Sequence, residues 1–182
     1  MPFLQPDLTR ACYRDLTPAF LCEQGIRVLL LDIDNTLAPY EQAEPDQALC
    51  EWLASLAAHG IAVGLVSNNN RKRVEKFNAA LSLPARAGAG KPFTRAARRM
   101  MRTLGGDKHT TAVMGDQIFT DVWMAHAMGV RAVLVPPIRD KKNALTRFKR
   151  RLERAPLRRY YRRCPDAPDV RAGSPLAKEI QV

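Results

Sequence analysis

The stretch RVLLLDIDNT at residues 27–36 decides how this chain reads. Val28, Leu29, Leu30 and Leu31 follow one another without a polar break. That continuity is the mark of a strand buried on both faces. Asp32 and Asp34 come directly after it. The same grammar repeats outward along the chain. Residues 61–66 (IAVGLV) read as a second apolar strand ending at Ser67, and residues 111–114 as another ending at Gly115 and Asp116. Residues 130–135 read as the last strand, closed by Pro136 and Pro137, and the Ala/Gly-rich 85–89 as a weak one. Helices fall between them. Leu49, Trp52, Leu53 and Leu56 recur at i, i+3, i+4 and i+7, which predicts a helix over 46–59 stopped by Gly60. Val74, Phe77 and Leu81 mark the next helix. Phe93, Ala96, Ala97, Met100, Met101 and Leu104 mark another, and one from about 119 ends at Gly129. Buried strands alternating with helices predict an α/β fold, a doubly wound parallel sheet. Ligand sites in such folds lie beyond the carboxyl ends of the strands, the edge on which Asp32, Ser67 and Asp116 stand.

Composition bounds the rest. The 182 residues fit one domain with appended segments, and 46% apolar residues suffice for one core. No run of 18 apolar residues occurs, so no membrane-spanning helix is expected. The first residues, MPFLQPD, lack the basic start and apolar stretch of a secretory signal. Cys12, Cys22, Cys50 and Cys164 form no CxxC pair and fit reduced thiols in a cytoplasmic protein. His59, His109 and His126 have no metal-ligand spacing and are assigned no role. The formal net charge is +11, and residues 139–163 hold nearly all of it: twelve Lys/Arg against Asp140 and Glu153. The expected organisation is a single domain over 1–163. It has a lead-in (1–26), a core (27–138) and a basic stretch (139–163), followed by a disordered polar tail at 164–182.

Four clusters carry chemistry. Asp32 and Asp34, two residues apart past a strand, can divide labour: one carboxylate attacks phosphorus, the other moves the proton. Ser67 and Asn68 offer a hydroxyl and a backbone N–H at the mouth of a helix, suited to phosphate oxygens. Lys91, in Gly90-Lys91-Pro92, offers a neutralising ammonium. Asp116 and Asp121 offer carboxylates with few other ligands nearby, a set that suits Mg²⁺. Taken alone, the Asp32/Asp34, Ser67 and Lys91 clusters read better as a turn, a helix cap and a solvated side chain, and Asp116 with Asp121 can be a capped helix start. Their order, each at a strand end or turn, sets the combination apart.

DxDNT, then Ser, then Lys-Pro, then GDxxxxD resembles the four signature motifs of the haloacid dehalogenase (HAD) phosphatases. The resemblance implies that Asp32 is the nucleophile and Asp34 the general acid and base. It implies that Ser67, Asn68 and Lys91 hold the phosphate. It also implies that Mg²⁺ is bound by Asp32, the Asp34 carbonyl and Asp116, with Asp121 supporting. The intervals from Asp34 to Ser67 and from Ser67 to Lys91 are filled by the elements above, so no cap domain is expected. Leu4 to Leu8, Asp15 to Leu21, and the Gly115–Asp121 motif followed by Arg150–Arg154 resemble the YqeG family of HAD-IIIA phosphatases. Some relatives in that family dephosphorylate phosphatidylglycerophosphate.

The basic stretch stays open among three readings. Basic residues interleaved with Leu145, Phe148, Leu152, Leu157, Tyr160 and Tyr161 suit an anionic membrane surface, which would place the enzyme at the inner face of the membrane. They also suit nucleic acid, as in a phosphatase of nucleic-acid ends or a basic RNA- or ribosome-binding adaptor. The third reading is a helix packed on the sheet through Leu145, Phe148 and Leu152, broken at Pro156. Because these arginines lie outside the four motifs, they are expected to serve docking rather than chemistry.

Overall fold

The computed structural model describes residues 3–139 and 144–179. Six parallel strands form one sheet: β1 (Leu8–Thr9), β2 (Val28–Leu31), β3 (Ala62–Val66), β4 (Ala85–Arg86), β5 (Thr111–Gly115) and β6 (Arg131–Leu134). Their spatial order is β1-β6-β5-β2-β3-β4. The helices are α1 (Pro18–Glu23), α2 (Gln47–Ala58), α3 (Arg71–Asn78), α4 (Arg95–Thr103), α5 (Trp123–Met128), α6 (Ala144–Tyr161) and α7 (Leu176–Glu179). The doubly wound parallel sheet expected from the sequence is what forms.

The pleat explains why β2 is apolar throughout. Leu29 and Leu31 face one layer with Val63, Leu65 and Met114, against α2 and α3. Val28 and Leu30 face the other with Val113, Ala132 and Leu134, against α4, α5 and α6. Leu29, Leu30 and Leu31 are fully buried, and each contributes roughly 1.5–3 kcal/mol by leaving water. β2 pairs with β3 on one side and β5 on the other, Leu31 lying opposite both Leu65 and Met114. The chain winds outward in opposite directions from this point, which opens a crevice at the carboxyl ends of β2, β3 and β5.

Three local features depart from the sequence reading. β1 lies in the lead-in, where two residues are too few to show a period. Asp7 holds it in place: its amide donates to the Ala132 carbonyl at 3.0 Å, while Oδ2 accepts from the Ala132 amide at 2.8 Å and lies 3.0 Å from His126 Nε2. His126 thereby has a structural part. Second, Pro156 does not break α6. Proline frees the carbonyl four residues earlier, and Leu152 is exposed, so water can serve that group. Third, the expected disordered tail does not describe residues 164–179. Val170 and Leu176 are buried, one in each core layer. The Tyr161 hydroxyl donates to the Pro168 carbonyl at 3.0 Å and accepts from the Val170 amide at 2.9 Å, which pins the segment back on α6.

α6 packs on the sheet, but not by the face that the third of the three readings gave it. Glu153, Leu157 and Tyr160 are buried, whereas Phe148 and Leu152 are exposed at 59% and 47%. The side chain of Leu145 lies outside the described residues. Leu157→Ala should therefore lower the unfolding free energy by about 2–5 kcal/mol in urea denaturation. A loss below about 0.5 kcal/mol would be that of a surface substitution and would mean that α6 does not pack on the sheet.

Candidate active site

Adjacent strand ends bring the carboxylates together. The Asp32 amide donates to the Met114 carbonyl at 3.0 Å, which fixes the start of the DxDNT loop beside the end of β5. Asn35 turns that loop at φ 66°, a left-handed conformation that asparagine tolerates. Its carbonyl accepts from the Ile138 amide at 3.1 Å, tying the loop to the segment after β6. After β5, a π-helical turn over Ile118–Val122 swings Asp121 back over Gly115. A Cβ at Gly115 would collide with the Asp121 carboxyl, so only glycine admits this approach.

Asp32, Asp116 and Asp121 are all buried, and each offers a carboxylate oxygen within 4.8 Å of the others. Lys91 Nζ stands among them, 2.6 Å from Asp32 Oδ1 and 2.7 Å from Asp121 Oδ1. Asn68 presents that lysine: its Oδ1 accepts from the Lys91 amide at 2.7 Å and its Nδ2 donates to the Lys91 carbonyl at 3.0 Å. Ser67, at the end of β3, is buried, and its Oγ accepts from the Asn69 amide at 3.0 Å. Asp34 does not add its carboxylate to the cluster. It accepts from Asn69 Nδ2 at 2.9 Å and from Arg73 Nε at 3.1 Å. The two aspartates of the loop thus sit in different surroundings.

Charge is unbalanced here. Burial pushes the Asp32 carboxyl well above its usual range; Lys91 opposes this, while Asp121 and Asp116 add to it. Asp116 is raised to about 6, by burial first, against the pull of Arg150. Burial alone would lower the Lys91 ammonium, but Asp121 and Asp32 outweigh it and hold it charged. A carboxylate raised while its ammonium partner is also raised reflects three acids around one lysine. Asp116 Oδ1 is buried with no hydrogen-bond partner. Clustered carboxylate oxygens, an excess of negative charge and an orphaned acceptor fit a hard divalent cation.

All seven residues picked out from the sequence meet at this crevice, but four of the groups that arrange them were missed. Asn69 and Arg73 orient Asp34. Arg73 is an unremarkable position on α3, three residues after its N-cap, Asn70. Arg150 and Glu153 come from α6. Arg150 Nη2 lies 2.6 Å from Asp116 Oδ2, and Nη1 donates to the Asp116 carbonyl at 2.7 Å and to Glu153 Oε2 at 2.9 Å. Glu153 Oε1 accepts from the Ile118 amide at 2.9 Å. Arg150 therefore leaves the group expected to serve docking alone: it touches the carboxylate cluster. In the sequence nothing separates it from its basic neighbours.

The fold and this crevice define the class. A sequence model of the HAD-hydrolase-like family matches residues 88–152. The fold resembles the cobalt-bound deoxy-D-mannose-octulosonate 8-phosphate phosphatase of Haemophilus influenzae. That match has a TM-score of 0.52 and 13% identity, covering 75% of this chain and 90% of the other. An uncharacterized protein of Listeria monocytogenes serotype 4b is similar at TM-score 0.51 and 12% identity, over 65% and 85% of the two chains. The chain is also 36% identical to the "Probable phosphatase YqeG" of Bacillus subtilis, over 76% of its own length and 81% of the relative's. The chain belongs to the YqeG-like phosphatases of the HAD family.

If the carboxylate cluster holds a cation, saturating Mg²⁺ or Mn²⁺ should raise the melting temperature of the wild type by about 5–10 °C, the shift that ligand at a hundred times its Kd gives a chain of this size. Asp116→Asn, which keeps the shape and loses a ligand charge, should lose most of that shift. An equal shift in both proteins would place the cation elsewhere.

Proposed function

We propose that this protein hydrolyses phosphomonoesters through an aspartyl phosphate on Asp32, with Mg²⁺ as cofactor and phosphatidylglycerophosphate at a membrane surface as substrate. The observation that carries the chemistry is the separate surroundings of Asp32 and Asp34. Asp32 Oδ attacks phosphorus, and the bond to the leaving oxygen breaks as Asp34 gives that oxygen its proton. Water then attacks the phosphoryl group, passing a proton to Asp34, and the bond to Asp32 breaks. Arg73 and Asn69 hold the Asp34 carboxyl apart from the carboxylate cluster, which leaves it to serve the leaving oxygen. Ser67 and the Asn68 amide hold phosphoryl oxygens, and Lys91 opposes the protonation of Asp32 that burial and the neighbouring acids favour. Asp32, Asp116 and the Asp34 carbonyl, with Asp121 in support, would hold the cation, which when bound would supply charge neutralisation to the phosphoryl group.

The lipid part of the reading rests on α6. Phe148 and Leu152 point away from the protein, with Arg151, Arg159 and Arg162 exposed around them. A helix that packs by one face and offers apolar and cationic groups on the other suits an anionic bilayer surface. Phe148 could stack on a base as well as enter lipid, but exposed Leu152 beside it has no ring to stack and favours lipid over a nucleic-acid end. No helix among the described residues is long and apolar enough to cross a membrane, so contact would be peripheral.

Asp32→Asn should abolish phosphate release while leaving the thermal transition in place. Turnover by a preparation shown by mass spectrometry to be free of deamidated protein would remove Asp32 from its role. A substrate panel of phosphatidylglycerophosphate, 5′- and 3′-phosphorylated oligonucleotides and small phosphoesters then tests the substrate, and preference for an oligonucleotide would replace the lipid.

Replacing Arg151, Arg159 and Arg162 by Gln should weaken binding to phosphatidylglycerol-containing vesicles by up to roughly 3 kcal/mol, at about 1 kcal/mol per basic residue. Salt should reproduce the loss in the wild type. Unchanged sedimentation with vesicles would mean that this face is merely solvated.

A further inference from the structure

A cavity of about 710 Å³ lies between α6, the segment after β6 and residues 170–178. Its size is that of a small-ligand site. Asp116 of the carboxylate cluster is among its lining residues, beside Arg150, whose Nη2 lies 2.6 Å from Asp116 Oδ2. Arg150, Arg154 and Arg158 all line it. Their four-residue spacing puts them on one edge of the helix. Arg171 and Lys178 face them from the opposite wall. Like charges at this spacing weaken a helix, so the row is a cost that an anion would relieve. Asp116 and Glu153 already engage Arg150, and Asp169 engages Arg171. Arg154 and Arg158 form no ion pair among the described residues. The floor is apolar, built from Leu134, Ile138 and Leu157.

Cations from α6 and from residues 171–178, an apolar floor and a lining that includes Asp116 of the carboxylate cluster describe a site for a ligand with carbon between two anions. We propose that this cavity is a second-anion subsite, which receives an anionic group carried by the leaving group of the phosphomonoester. The inference rests on the phosphatase reading. It adds that the enzyme selects esters with a distal phosphodiester or comparable oxyanion, and that Arg154 and Arg158 make the selection. The C-terminal segment then has a specific part: it closes the far wall.

Two soluble phosphomonoesters test this, dihexanoyl phosphatidylglycerophosphate, which has the phosphodiester, and dihexanoyl phosphatidate, which lacks it. Both are used as monomers, so attachment to a bilayer does not enter. In the Arg154→Gln/Arg158→Gln protein, the ratio of kcat/KM between the first substrate and the second should fall about tenfold, mainly through KM. That is about 1.4 kcal/mol of discrimination. The Arg154→Lys/Arg158→Lys protein, which keeps the charge, should recover most of the ratio. An unchanged ratio, whether both rates fall equally or neither falls, overturns the subsite. So does a wild type that hydrolyses only the phosphatidate. A wild type inactive on both substrates and on every other phosphomonoester tested would instead bring down the phosphatase reading beneath it.

Discussion

One buried ammonium among three buried carboxylates is the constraint around which the site is arranged. Lys91 reaches Asp32 and Asp121 at 2.6 and 2.7 Å, and all three side chains are almost wholly removed from water. Placing such groups together is costly unless the geometry is closely held. Much of the local structure does that holding. The β2–β5 pairing sets Asp32 against the end of β5. Gly115 lets the π-helical turn return Asp121 to the centre. The Asn68 side chain closes on both backbone groups of Lys91. Even so, the negative charge is left in excess, which makes the cluster receptive to a cation.

The two aspartates of the DxDNT loop show how one sequence motif yields two chemistries. Asp32 faces the crowded interior, where an ammonium and two acids set its charge. Asp34, two residues on, meets an arginine and an amide instead. Arg73 is itself anchored by the Ala43 and Pro39 carbonyls at 3.3 and 3.4 Å. The loop beyond β2 and the start of α3 are thereby joined through the carboxyl that would carry the proton.

The basic helix is three surfaces rather than one. Its inner face, with Glu153, Leu157 and Tyr160, closes the core. One edge carries Arg150, Arg154 and Arg158 along the cavity. The outer face exposes Phe148 and Leu152 among further arginines. Arg150 and Glu153 connect this helix to Asp116 and to the turn after β5, so its seating and the geometry of the carboxylate cluster are physically linked.

The strands, their order along the chain and the acids at their ends were legible in the sequence. An apolar run flanked by helical periods has few ways to bury itself, and a parallel sheet puts the ends of its strands on one edge. That edge accounts for Asp32, Ser67 and Asp116; Asp34, Asn68, Lys91 and Asp121 were picked out by the order of the four motifs and their resemblance to a known family. Local signals could not reveal β1, because two residues have no period. They misjudged α6, because Phe148 and Leu152 look as buriable as Leu157. Which side of a helix meets the core depends on what already stands there, and here Leu134, Val170 and the turn after β5 took the side with Leu157 and Glu153. Arg73 and Arg150 were invisible for the same reason. A guanidinium at the end of a long side chain gains its role from the carboxylate it reaches, and those carboxylates lie 39 and 34 residues away in the chain. The sequence by itself determined which groups could react; only the tertiary structure decided which of them stand together and what holds them there.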